Sequence, residues 1–189
     1  MKAGEKMKLS NSKILNLWNL LGKLHGFLVV CLLVLVMLLV FVQVILRYVF
    51  NAPLMGIEDY LLFPIAWLYL LGAAYASYHR AHIDCGIIML YIKRPFTYKI
   101  LKFVRSSISF AVCAWLLRWS WWYYQYLLRV DKVSALGYIK MVYVESAAFY
   151  GILFMTIYTF VELADWFLIL IGKKEIKFIP IGGIEQDVD

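Results

Sequence analysis

Between the acids Glu58-Asp59 and the polar pair His79-Arg80, residues 60–78 carry no charge. At 1.5 Å per residue this run is about as long as a hydrocarbon core is thick, ~30 Å. A turn, Asn51-Ala52-Pro53, precedes it, and His82 and Asp84 extend the polar group beyond its end. Acids at a helix start and bases at its end complement the helix dipole. The pattern predicts a membrane-spanning helix with polar residues at both water boundaries.

The rest of the chain extends that reading. Of its 189 residues 64% are hydrophobic and 16% charged, and mean hydropathy is +0.77. A soluble domain is closer to half apolar and a quarter charged. The length leaves room for about four spans and none for a separate soluble domain. The net charge of +7 does not point to nucleic acid, because the basic residues lie between apolar runs, as on cytoplasmic flanks. Cys31, Cys85 and Cys113 form no CxxC pair, so neither a disulfide framework nor a zinc site is expected. The first apolar run follows a lysine-rich lead and is too long for a signal core, so it is expected to stay as a span.

The expected fold is an all-α membrane protein with four transmembrane helices at 26–46, 58–78, 106–128 and 144–171. Within residues 10–24, Ile14, Leu17, Trp18, Leu21 and Leu24 recur at helical spacing. They predict a short interfacial helix, or alternatively an extension of the first span. Residues 84–105 are expected to form a second interfacial segment whose Lys and Arg heads reach towards phosphates. Residues 172–189 are expected to be a polar tail. Pro64 lies close enough to its helix start to be tolerated. Gly72, Ala73, Ala76 and Ser77 offer small residues for close helix approach. Fourteen Lys and Arg fall on the side that holds the lead, residues 79–105 and the tail, and four on the other. Both termini are therefore expected in the cytoplasm.

Arg118 is the conspicuous charge inside a span, and such a charge wants a partner or a role. Pairing with Glu162, in the polar stripe Thr156, Thr159, Glu162 and Asp165, is one reading; snorkelling to the aromatic boundary at 115–126 is a second, and a substrate or ion site a third. Glu58 and Asp59 read as a helix N-terminus favoured by its dipole, as a cation site, or as a docking point for a soluble partner. His25, His79 and His82 all fall near one boundary and are expected at the surface; none sits opposite another well inside a span, as a buried haem would require. No Ser/His/Asp set, metal-spaced cluster, P-loop or CxxC occurs, so neither an enzyme nor a bound metal or cofactor is expected. No pair of broken half-helices lines a midplane cavity. The residues describe a four-helix accessory subunit packed against lipids and a larger membrane partner.

Arg47-Tyr48, Phe50, Pro53-Leu54, Glu58-Asp59, Gly72 and His82-Ile83 together resemble the small membrane subunit of tripartite ATP-independent periplasmic (TRAP) transporters. The matched motif covers residues 47–83, while length and four-span topology match nearly the whole chain. Gly56 stands where the family usually has Trp, and Gly86 where it has Asp; Asp84 lies two residues early. The resemblance implies a bacterial inner-membrane subunit without Na⁺ of its own. It also implies a large membrane subunit that holds the Na⁺ and substrate sites and moves as an elevator, and a periplasmic binding protein that delivers an organic acid. Arg47, Tyr48, Glu58, Asp59, Gly72, His82, Arg118 and Glu162 become interface candidates. The loops at 52–57 and 131–143 are expected to face the binding protein, with Asp131, Lys132, Lys140 and Glu145 as the charges available. The competing readings are a haem- or quinone-binding anchor subunit of a respiratory complex, and a self-sufficient small transporter or channel.

Overall fold

A computed structural model describes residues 2–51, 56–80, 95–134 and 140–171; for residues 2–15, Glu58 and Pro95 it describes the backbone alone. Four helices account for nearly all of it: α1 Lys2–Tyr48, α2 Ile57–Tyr78, α3 Pro95–Val130 and α4 Met141–Leu170. Each is long and apolar enough to cross a membrane. Among the described residues there is no strand, only an isolated antiparallel bridge between Val133 and Lys140.

The helices form an open row in the order α1, α2, α4, α3, in which each packs on its neighbours. The two middle helices run in the same direction, since Leu70 meets Gly151 and Tyr78 meets Tyr158. The flanking helices run against them: Gly22 of α1 faces Tyr78 and Gly26 faces Tyr75. Tyr123 of α3 meets Glu145, and Phe103 meets Phe167.

Both outer helices bury a single narrow seam. In α3 the less exposed residues include Ser106, Cys113, Ser120 and Leu127, with Phe110, Leu117 and Tyr124 between them, a strict alternation of four and three. In α1 the corresponding residues run Gly22, His25, Val29, Leu32, Val36, Leu39, Gln43 and Leu46, again four and three apart. A 3.5-residue repeat keeps one stripe of a helix against its neighbour along its whole length. The remaining faces of α1 and α3 are open; Phe27, Met37, Trp115 and Trp119 are all more than 60% exposed.

Several expectations need correction. The lead expected as a separate interfacial helix over 10–24 is helically continuous with the first span. No proline interrupts residues 2–48, and Gly22 and Gly26, the glycines where the lead meets the span, are used for packing. A Cβ on Gly22 would lie 2.2 Å from Tyr78 Cζ, and one on Gly26 2.7 Å from the Tyr75 hydroxyl. Likewise α3 starts at Pro95, which is suited to a first helical position, so residues 95–105 are the opening turns of the span helix. Residues 84–94 and 172–189 lie outside the described residues. Pro64 sits inside α2, beyond its first turn, and the helix runs through it from Ile57 to Tyr78, so it is tolerated as expected. The small-residue stripe also does different work: a Cβ on Gly72 would meet nothing within 4 Å, whereas one on Gly151 would lie 2.6 Å from Leu70 Cβ and 3.0 Å from Leu70 backbone. The close approach of α4 to the α2 backbone therefore uses a glycine of α4.

Candidate functional site

Polar side chains gather at the two ends of the row. At the end where α2 and α4 begin, the α3–α4 connection folds back on itself. Asp131 takes a left-handed backbone, φ 43°, and the Met141 amide donates to the Lys132 carbonyl at 2.8 Å. This brings all four expected docking charges together. Lys140 Nζ donates to Asp131 Oδ1 at 2.9 Å, and Lys132 Nζ to Glu145 Oε1 at 3.2 Å. The Tyr123 hydroxyl donates to the other Glu145 oxygen. Ser134 donates to Asp59, which ties the connection to the start of α2. Trp67 Nε1 donates to the Tyr143 carbonyl at 2.9 Å and pins α2 to α4. The lysines remain water-facing, at 54% side-chain exposure each, and Asp131 more so at 68%. The bond to Asp131 raises the Lys140 ammonium above the ordinary lysine range, so it stays charged through the neutral range and beyond. Arg47 lies over the Tyr48 ring at 5.8 Å, a contact within α1. The Glu58 side chain and residues 52–55 and 135–139 are outside the described residues.

The opposite end is buried. Arg80, just past the C-terminus of α2, forms an ion pair with Asp165 of α4, with side-chain exposures of 18% and 7%. Arg80 also adopts a left-handed backbone, φ 53°, where helices usually place glycine. Its amide donates to the Ser77 carbonyl at 3.1 Å. Deeper in, His25 of α1 is buried rather than at the surface. Its Nε2 lies 3.0 Å from the Leu71 carbonyl and its Nδ1 2.9 Å from the Tyr158 hydroxyl. A carbonyl only accepts, so Nε2 carries the proton; in the neutral ring Nδ1 then accepts from Tyr158. Trp18, Tyr75, Tyr78 and Phe154 pack around this pair with centroids 5.4–6.4 Å from their neighbours. His79 stacks edge-on against Tyr75 at 4.6 Å. His82 lies outside the described residues.

Arg118 and Glu162 do not meet. Contacts from Tyr123–Glu145 through Cys113–Thr156 and Phe110–Phe160 to Phe103–Phe167 form a ladder that sets Arg118 opposite residues 151–152. Glu162 stands opposite Ser107, about 16 Å further along at 1.5 Å per residue. Arg118 is exposed on the outer face of α3, with no ion pair among the described residues. The acid that does find a cation is Asp165. Arg80 and Asp165 both lie at the same end of their spans, which makes the pair compatible with depth without singling it out. The threonines of the stripe are satisfied within the row: Thr156 donates to Ile152 at 2.7 Å and to Cys113 across the interface at 3.3 Å, and Thr159 to Met155 at 3.0 Å. Such back-bonding removes the polar cost of a hydroxyl in a span. Both His25 nitrogens are engaged, which leaves neither free to ligate a haem. Among the described residues no three His, Cys, Asp or Glu side chains converge as a metal set.

Comparison with known proteins gives two findings. Residues 36–168 match the family described as tripartite ATP-independent periplasmic transporters, DctQ component. The chain is also similar to a Haemophilus influenzae protein whose name describes it as a TRAP transporter small permease protein: 29% identity over 110 residues, covering 58% of this chain and 68% of that relative.

Proposed function

The chain belongs to the DctQ family of tripartite ATP-independent periplasmic transporters, a multi-pass component of the bacterial inner membrane, and from that premise we propose that it is the static scaffold of a Na⁺-coupled importer of an organic acid. In this reading a large elevator-type subunit holds the Na⁺ and substrate sites, and a periplasmic binding protein delivers the acid. Both chain termini face the cytoplasm, on the strength of the fourteen-to-four distribution of Lys and Arg. The Asp59 end then faces the periplasm, and its lysines and acids help receive the binding protein.

One observation carries the scaffold role. The polar groups at the helix contacts of α4 are spent on holding the row together: His25 on Tyr158 and Leu71, Thr156 on α3, and Arg80 on Asp165. Groups fixed this way stiffen a helix assembly and are not available to bind and release cargo. The test is uptake into liposomes containing the large subunit with or without this chain, supplied with binding protein and a Na⁺ gradient. Uptake is expected only when both membrane subunits are present. Uptake by this chain alone, or full-rate uptake by the large subunit alone, would refute the scaffold role.

A further inference from the structure

We infer that the outer seam of α3 is where the large membrane subunit docks, through a carboxylate on one of its own helices that meets Arg118 within the membrane. This rests on the scaffold reading and adds to it the contact surface and its chemistry. The seam that α3 turns towards α4 has a counterpart on the opposite face: Ile108, Trp115, Arg118, Trp122, Gln125 and Arg129. Apart from the gap between the first two, these are also three and four residues apart, and all but the half-exposed Gln125 are exposed. One helix thus carries a stripe packed on α4 and, on its far side, an exposed stripe that no described residue of this chain covers.

The depth of Arg118 decides what belongs on the second stripe. The α3–α4 ladder places it level with Gly151, and Gly151 packs on Leu70. Leu70 is one residue from Tyr69, the centre of the uncharged run of α2. Arg118 therefore lies within about 3 Å of the centre of that uncharged run, and about 7 Å to the Asp59 side of the centre of α4, well inside both helices rather than at either end. Its Cα–Cβ bond also tilts towards the helix N-terminus, away from Arg129 and from the greater part of the aromatic cluster at 115–126, of which only Trp115 lies on the N-terminal side of Arg118. A phosphate headgroup at the Arg129 end lies against that direction. An intramembrane cation of this kind is costly without an acceptor and faces protein rather than acyl chains. The missing acceptor is an acid, since among the described residues no carboxylate of this chain reaches it. α1 is equally open but carries no charge between Lys23 and Arg47, so nothing there distinguishes lipid from a partner.

Co-purification of the full-length chain with its large subunit from co-expressing membranes, in mild detergent, tests the assignment. Arg118→Leu is the decisive variant: losing a charge favours membrane insertion of the chain itself, so reduced partner recovery cannot be blamed on poor insertion. Recovery of large subunit per small subunit is expected to fall roughly tenfold or more. Arg118→Lys should retain most of it. A photo-crosslinking p-benzoylphenylalanine in place of Trp122 should label a large-subunit helix that carries Asp or Glu. Wild-type recovery with undiminished recovery by Arg118→Leu overturns this inference and leaves the scaffold reading standing, as do adducts at position 122 with lipid or with a second copy of this chain alone. Absence of the large subunit from the wild-type preparation overturns both.

Discussion

The two ends of the row hold similar chemistry in opposite surroundings. At the Asp59 end two Lys–carboxylate pairs sit in water, and three of their four side chains are more than half exposed. At the Arg80 end a single Arg–Asp pair is closed off between α2 and α4, beside a histidine–tyrosine pair sealed by aromatic rings. Exposed ion pairs contribute little to stability and are screened by salt. A buried pair is costly to assemble and more costly to break on one side. The difference teaches where each kind of charge serves: the open end can exchange its partners for those of another protein, and the closed end cannot.

The largest effect is expected from breaking the closed end. Asp165→Ala strands a mostly buried guanidinium and should destabilise the chain by ~3–5 kcal/mol, whereas Arg80→Leu combined with Asp165→Leu should cost much less. Thermal melts in one detergent compare the two; equal losses would mean the pair is not effectively buried. Next comes Gly151→Leu, which drives a side chain into the Leu70 backbone and should cost ~1–3 kcal/mol. Gly72→Ala, with open space around it, should cost nothing by overpacking. Tyr158→Phe leaves His25 Nδ1 without its donor and should cost about 1 kcal/mol in the same assay. The smallest effect on stability belongs to the open end. Lys132→Glu with Lys140→Glu should barely move the melting temperature, yet should raise the apparent KM for delivered substrate severalfold. Because these lysines also neutralise Glu145 and Asp131, Lys132→Met with Lys140→Met separates lost attraction from new repulsion. The sign of the Lys140 shift adds a pH test. A raised folded value means its contribution is full at neutral pH and is lost only as pH climbs through that value, above the usual lysine range. Docking is therefore expected to show no titration of Lys140 through the neutral range.

Much was legible in the residues themselves. Apolar runs of bilayer length announce four spanning helices, and the resemblance carried by residues 47–83 leads to the family that the comparison then identified. The pairings were not legible. Arg118 and Glu162 looked complementary because both are charges inside spans, but which residues face each other depends on the offset between two helices, and sequence gives no offset. The same gap hid Gly151, whose value lies only in what stands opposite it, and the burial of His25, which looked like a boundary residue until α1 ran through the boundary unbroken. The 3.5-residue seams were present in the chain but invisible there, because nearly every position in those runs is apolar and only packing separates the buried stripe from the open one.

Composition and the length of the uncharged runs settled that this is a four-helix membrane protein, because lipid imposes that length on any backbone that must satisfy its own hydrogen bonds. Tertiary structure decided that the helices form a row rather than a closed bundle, that Arg80 rather than Arg118 takes an acid of α4, and that one face of α3 is left with a cation and no counter-charge among the described residues. The reason is geometric: an ion pair or a close approach joins two surfaces, and each surface is encoded in a different part of the chain.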